Sequence, residues 1–245
     1  MKISAPLLTN GLLRHHLIQK GALVVCACLL IVMAEGTAVS QAKDNAFAPN
    51  PVAETKDNNT GIQKRQNEFG VWGGISFDAT TLIGKTPDAR FGNIGLRYGR
   101  VLLASRIVAF EWTIDVVPVA ILSNTRFVTL PDPRGGSIFT QVRPSVYAWG
   151  AAPIGLKFNF RRKHRVQPFF HTTGGFLNFR RAIPEDNAAR FNFTFDFAGG
   201  VQIVDANHRS FFIGYKYQHI SNGYRAPINP GVDVQMIYAG FSIFK

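Results

Sequence analysis

The sequence is poor in cysteine, in long apolar runs and in acidic residues. Both of its cysteines, Cys26 and Cys28, lie in one apolar run near the N-terminus. If export removes that run, no thiol remains, so neither a disulfide nor a thiolate metal site is expected. The chain has 15 acidic residues against 27 lysines and arginines, a formal charge of +12. Such a basic protein suits an anionic surface, for example a phosphate-bearing lipid leaflet.

The first 42 residues have the pattern of a secretory signal peptide. Three basic residues precede the apolar run Gly21–Met33, and small residues follow as far as Ala42. The run has thirteen residues, fewer than the roughly 20 that a membrane-spanning helix needs. We therefore expect residues 1–42 to be a signal peptide, cleaved after Ser40 or Ala42, in preference to a membrane anchor or a lipoprotein signal.

Residues 43–67 are polar, contain Pro49 and Pro51, and show no apolar periodicity. We expect this segment to be a disordered arm rather than part of a core. Loss of three basic residues and Glu35 with the signal peptide leaves a formal charge of +10. Nucleic acid is the rival partner for this charge, but export and the lack of a clustered basic helix argue against it.

From Glu68 to Lys245, apolar and polar residues alternate with the period of a β-strand. In Arg190–Phe197, four phenylalanines occupy one face and polar residues the other. The same pattern occurs in Ala109–Val116 and in Ile154–Phe160. These segments therefore form two-sided surfaces, one apolar and one polar.

Eight segments follow this pattern, and short links alternate with longer ones between them. They are Glu68–Asp78, Arg90–Ser105, Arg106–Ser123, Tyr147–Arg161, Gln167–Arg181, Arg190–Val204, Ser210–His219 and Asp233–Lys245. An even number of strands with short turns on one side and long loops on the other is typical of an up-and-down barrel.

The polar faces of these strands carry ionisable residues at their centres, including Glu111, Asp115, Lys157 and Asp196. Charges at these positions fit a narrow, mutually paired lumen better than the surface of a soluble barrel. We predict an all-β fold, an eight-stranded antiparallel up-and-down transmembrane β-barrel spanning residues 68–245, in the bacterial outer membrane.

The last predicted hairpin contains the candidate catalytic residues. His219 and Ser221 are two positions apart on an extended segment, so both side chains leave the same face of the strand. A general base beside a serine hydroxyl is the arrangement that activates a nucleophile. Counting back by two from His219 gives Tyr217, Tyr215 and Ile213, which indicates that this face is the one in contact with lipid.

Asp233 opens the returning strand and can place its carboxylate beside His219, where it would orient the imidazole. Asn222 can supply a side-chain donor to an oxyanion, together with the backbone N–H of Gly223. By spacing alone these residues are also compatible with ordinary polar positions at the edge of a loop.

The segment His219-Ile-Ser-Asn222 resembles the H-x-S-N motif of the lipid A 3-O-deacylase (PagL-type) family of outer-membrane enzymes. The resemblance implies a triad of His219, Ser221 and Asp233, an oxyanion hole at Asn222, and hydrolysis of the 3-O-linked acyl ester of lipid A. It implies neither a metal nor a cofactor. This chain has Asp233 where the family pattern has Glu, so the acid is one methylene shorter.

Two rival functions remain open at this stage: a non-enzymatic outer-membrane barrel, structural or adhesin-like, and a soluble periplasmic barrel that binds an apolar ligand. A homodimer is possible. We expect Asp115 to form a salt bridge in the lumen, and His171 and His208 to be lumenal or turn residues, because neither has metal-ligand spacing.

Overall fold

A computed structural model describes residues 61–245 of the chain. The predicted signal peptide and residues 43–60 of the predicted arm lie outside the described residues. Residues 61–66, the end of that arm, lie against one end of the barrel. The Ile62 side chain is buried there, its N–H donates to the Arg162 carbonyl at 3.2 Å, and the Arg65 N–H donates to the Val101 carbonyl at 2.9 Å.

The described residues form eleven β elements, and no helix among them is long and apolar enough to cross a membrane. The elements are β1 (Asn67–Ser76), β2 (Ala79–Thr80), β3 (Arg90–Ala104), β4 (Val108–Ser123), β5 (Arg126–Pro131), β6 (Ser137–Val142), β7 (Ser145–Phe160), β8 (Val166–Ile183), β9 (Ala189–Val204), β10 (Arg209–Ser221) and β11 (Val232–Phe244).

The eight long strands form one closed antiparallel sheet in the order β1-β3-β4-β7-β8-β9-β10-β11, and β1 pairs with β11 to close it. The short strand β2 follows β1 after a two-residue bend and also pairs with β11. Strands β5 and β6 form a separate hairpin within residues 124–144, where the sequence pattern predicts a long loop. The prediction of an eight-stranded up-and-down barrel is confirmed.

The two ends of the barrel differ in the length of their connections. Residues 105–107, 161–165 and 205–208 form short turns at one end, where Asn67 and Lys245 also pair. The opposite end carries the four segments 77–89, 124–144, 184–188 and 222–231. Outer-membrane barrels place short turns on the periplasmic side and longer loops outside the cell, which orients this barrel.

The faces of the strands are those that the sequence pattern predicts. On β9, Asn192, Thr194 and Asp196 are buried in the lumen, whereas Phe193 and Phe197 are 44% and 49% exposed on the outer wall. A wall of this kind is stable in lipid and not in water, so the soluble-barrel alternative is wrong. Other exposed apolar residues of the wall are Phe69, Val71, Ile94, Leu96, Val116, Trp149, Ile154, Phe170, Ile203, Ile213, Ile237, Phe241 and Ile243.

Paired charges fill the lumen. Lys157 Nζ donates to both carboxylate oxygens of Glu68, at 2.9 and 2.8 Å, and lies 3.5 Å from Glu111 Oε2. Arg97 makes a two-point contact with Asp115, with both N–O distances at 2.8 Å. The predicted lumenal salt bridge of Asp115 is therefore confirmed. Each ion is desolvated, so each depends on its partner.

We expect Lys157→Met to destabilise the barrel by about 3–5 kcal/mol, because the change leaves the buried Glu68 carboxylate without its cation. The measurement is the urea midpoint of the compact, heat-modifiable form on a cold gel. Lys163→Met, at an exposed position in the periplasmic turn 161–165, is the matched control and should not move the midpoint. An unchanged midpoint for Lys157→Met would contradict the account of the lumen.

Candidate active site on the outer wall

The candidate site lies at the long-loop end of the barrel, on the wall formed by β10 and β11. His219 and Asp233 are direct partners in the antiparallel pairing of these two strands. Both residues belong to the outward-facing set of their strands, with Ile213 on β10 and Ile237 on β11. The sequence prediction that His219 and Ser221 share a face with an apolar row is confirmed.

His219 and Asp233 are joined by a short hydrogen bond. His219 Nδ1 lies 2.6 Å from Asp233 Oδ1, so the imidazole donates from Nδ1 and keeps Nε2 for a second partner. Although both side chains face outward, His219 is 8% exposed and Asp233 is fully buried. The Phe195 ring covers one side of the imidazole at a centroid distance of 5.4 Å. This arrangement is the one in which a carboxylate orients a catalytic histidine.

The loop after β1 buries the Asp233 carboxylate and saturates its second oxygen. Asp233 Oδ2 accepts the backbone N–H groups of Ile83 at 2.6 Å and Gly84 at 2.9 Å, while β2 pairs with Asp233 at Thr80. We call residues 79–86 the carboxylate latch. Backbone amides leave no signature in a sequence, and for this reason sequence reasoning missed these two donors.

Two further hydrogen bonds fasten the latch to the loop before β11. The Lys85 N–H donates to the Pro230 carbonyl at 2.6 Å, and Thr86 Oγ1 donates to the Gly231 carbonyl at 2.6 Å. Gly84 allows this approach, because a Cβ atom there would lie 2.9 Å from both the Gly231 carbonyl carbon and the Val232 nitrogen. A side chain at Gly84 would therefore push the latch away from Asp233.

Ser221 ends β10 on the same outer face, and it is partly exposed. Within residues 61–245, its hydroxyl has no hydrogen-bond partner, and the structure does not join it to His219. Alternate residues of a strand are roughly 7 Å apart along the backbone, so contact between Oγ and Nε2 depends on the serine rotamer. The fold thus places the serine and the imidazole side by side without fixing their hydrogen bond.

Asn222 and Gly223 have different surroundings. The Asn222 side chain is buried, and its amide donates to the Ile228 carbonyl at 2.8 Å, while its backbone N–H donates to Asn229 Oδ1 at 3.0 Å. The Asn222 amide, which the sequence predicts as an oxyanion donor, is thus hydrogen-bonded within the loop 222–231. Gly223 adopts a left-handed φ of 61°, and its N–H has no acceptor in the described part of the chain. That N–H is free to meet an oxyanion.

The other histidines considered in the sequence lie away from this site. His171 is buried in the lumen, 2.9 Å from Thr113 Oγ1 and 3.3 Å from an Arg97 nitrogen. His208 lies in the turn between β9 and β10. Their predicted positions are confirmed. No three potential metal-ligating side chains converge anywhere in residues 61–245.

The sequence of the C-terminal part of this barrel matches the sequence model of a known protein family. The matched part includes His219, Ser221 and Asp233. Residues 129–242 match the family of lipid A 3-O-deacylase (PagL). The predicted resemblance to the PagL family is confirmed. No curated protein sequence is significantly similar to this chain. The family match and the apolar outer wall also confirm the predicted bacterial outer-membrane location.

One solved outer-membrane enzyme shares the fold of this chain. The crystal structure of the outer membrane enzyme PagL superposes with a TM-score of 0.50 at 13% identity, over 70% of this chain and 97% of that chain. Neisserial surface protein A gives a TM-score of 0.42 at 12% identity, over 72% and 96%. OprG from Pseudomonas aeruginosa gives 0.39 at 11%, over 76% and 96%. At these identities the similarity concerns the fold alone.

A short imidazole–carboxylate bond predicts a proton resonance far downfield in NMR spectra of the protein in micelles. Asp233→Asn should move the His219 Nδ1–H resonance upfield, because a neutral amide accepts a weaker hydrogen bond than a carboxylate. Asp205→Asn, in the periplasmic turn between β9 and β10, is the control and should leave the resonance in place. A resonance that does not respond to Asp233→Asn would show that the bond does not form in solution.

Proposed function

We propose that this chain is an outer-membrane serine esterase that hydrolyses an acyl ester of lipid A, the 3-O-linked hydroxyacyl chain, in lipopolysaccharide. The observation that carries the proposal is the His219–Asp233 hydrogen bond of 2.6 Å on the lipid-facing wall, two residues from an outward-facing serine. The family match supplies the substrate class.

In the proposed reaction, Ser221 Oγ attacks the ester carbonyl while His219 Nε2 takes the hydroxyl proton. Asp233 holds the imidazolium that forms, and the latch keeps Asp233 ionised and immobile through its two backbone donors. The Gly223 N–H stabilises the oxyanion, and Asn222 contributes through the loop conformation that it fixes.

Collapse of the tetrahedral intermediate releases the sugar hydroxyl, which receives the proton from His219, and leaves an acyl group on Ser221. Water, deprotonated by His219, then attacks the acyl-enzyme and releases the fatty acid. Neither a metal nor a cofactor takes part in this scheme. The atoms balance as one ester and one water giving one alcohol and one carboxylic acid.

The position of the site supports lateral entry of the substrate. His219, Ser221 and Asp233 lie at the extracellular end of the wall, beside apolar side chains that contact lipid. Acyl chains of a lipid in the outer leaflet can lie along these side chains while the ester stands at the level of Ser221. The substrate therefore need not leave the membrane, and the lumen, filled by ion pairs, takes no part in access.

Ser221→Ala should abolish acyl release, because it removes the hydroxyl to which the proposal assigns the nucleophilic attack. The measurement is the mass spectrum of lipid A from cells that express the protein: the wild-type chain should remove one hydroxyacyl group and the variant none. Comparable amounts of heat-modifiable protein in the outer membrane confirm folding of both. A spectrum that never shifts favours the non-enzymatic barrel, and a shift that survives Ser221→Ala rules out the serine mechanism.

Gly84→Ala tests the latch. The added Cβ displaces the loop from Gly231 and Val232, so Asp233 loses its fixed position, and we expect kcat to fall roughly 10- to 100-fold. Gly92→Ala, whose added Cβ would make only ordinary contacts with Gly74 and Ile75 on β1, is the matched control and should retain activity. Full activity in Gly84→Ala would mean that the latch does not position the acid.

A further inference from the structure

Two phenylalanines of β9 form an aromatic surface beside the proposed nucleophile. Phe193 is the direct partner of Ser221 in the β9–β10 pairing. Phe191 packs edge-on against Phe193, with ring centroids 5.4 Å apart. Both rings are part of the lipid-facing wall, 37% and 44% exposed. Anything that stands over these rings also stands next to Ser221.

Arg225 stands over both rings. Its guanidinium carbon lies 5.9 Å from the Phe191 centroid and 5.9 Å from the Phe193 centroid. The loop folds back to bring it there: the Arg225 N–H donates to the Asn222 carbonyl at 3.3 Å, and a Cβ atom at Gly223 would lie 3.3 Å from the Phe193 ring. The structure thus holds an exposed cation at the edge of the site.

No acidic side chain among residues 61–245 pairs with Arg225. The exposed residues Arg180 and Arg190 lie at the same end of β8 and β9, and neither of them has an acidic partner in the described part of the chain. Arg180 lies 5.3 Å from the Tyr147 ring centroid, and Arg190 Nε donates to the Phe179 carbonyl at 3.1 Å. Arg225 is therefore an exposed cation without an acidic partner in the described residues, on the β9 side of Ser221.

We propose that Arg225 binds a phosphate group of the lipid substrate and so determines which ester stands over Ser221. This inference rests on the proposed function. A guanidinium keeps its charge at all working pH values and can contact a phosphate through two parallel N–H groups. Its stacking on Phe191 and Phe193 limits its freedom before binding, which lowers the entropic cost of the contact.

The position of Arg225 gives the substrate a direction. An anionic headgroup is attracted to this guanidinium, which lies over Phe191 and Phe193 on the β9 side of Ser221. The lipid then lies with its phosphate towards Arg225 and its acyl chains along the wall below.

The test compares binding of two forms of lipid A, intact and dephosphorylated, in detergent micelles. Ser221→Ala protein is used so that the lipid is not consumed. Arg225→Gln keeps a planar polar group on the rings and removes only the charge. We expect it to raise the Kd for intact lipid A roughly tenfold, in line with the loss of a charge-assisted hydrogen bond, and to leave the Kd for dephosphorylated lipid A unchanged.

Arg209→Gln is the matched control, because Arg209 is an exposed arginine at the periplasmic end of β10. It should change neither Kd. An equal effect of Arg225→Gln on both forms of lipid A, or no effect on either, would overturn the inference. An equal loss of binding to phosphatidylglycerol micelles would also overturn it, since it would assign Arg225 to general attachment to anionic lipid.

The outcome separates this inference from the proposed function. If wild-type protein releases no acyl chain but Arg225→Gln still weakens binding only of the phosphorylated lipid, the esterase proposal fails and phosphate recognition stands. If acyl release depends on Ser221 while Arg225→Gln binds both lipids like its parent, phosphate recognition by Arg225 fails and the esterase proposal stands.

Discussion

Closure of the sheet along the seam between its first and last strands is the constraint on which the rest of the structure depends. A bilayer offers no hydrogen bonds to an open sheet edge, so β11 must find a partner over its whole length. The seam begins where Asn67 pairs with Lys245 and runs along β1 to Ile75. After a bend it continues as β2, whose Thr80 pairs with Asp233. The strand that closes the barrel thus also covers the acid of the candidate site.

The segment that follows β2 supplies hydrogen bonds to the same part of β11. The same segment that satisfies the edge of β11 turns its next backbone amides, those of Ile83 and Gly84, onto the Asp233 carboxylate. A carboxylate that faced lipid alone would be strongly destabilised. With two backbone donors and the imidazole of His219, it is fully bonded and buried on a wall that otherwise contacts acyl chains. Barrel closure and the geometry of the site therefore have one physical origin.

Because side chains alternate along each strand, the ionisable residues of the barrel lie either on its inner face or on its outer face. Charges on the inner face, such as Lys157 with Glu68 and Arg97 with Asp115, neutralise one another and fill the lumen. On the outer face of β10 and β11, the hydrogen-bonded His219–Asp233 pair is the ionisable exception at the extracellular end. Because ion pairs occupy the lumen, we assign the proposed chemistry to the outer wall.

The sequence predicts the strands and their faces well, because apolar and polar residues alternate along them. The four phenylalanines of β9 are an example of this period of two. It also predicts that His219, Ser221 and Asp233 lie close together, since a hairpin brings its two strands into register. It does not predict β2 or the β5–β6 hairpin, which are short and lack a clear alternation. Nor does it predict that the Asn222 amide donates to the Ile228 carbonyl of its own loop, because that bond depends on loop contacts rather than on a strand pattern.

The central claim is that an outward-facing His219–Asp233 pair activates Ser221 at the membrane surface. Covalent labelling of the folded protein in micelles with an alkyl fluorophosphonate, followed by mapping of the adduct by peptide mass spectrometry, tests it most directly. We expect one adduct, on Ser221, whose formation is lost in His219→Ala. Absence of any adduct on the folded protein, or an adduct that forms as fast without His219, would contradict the claim.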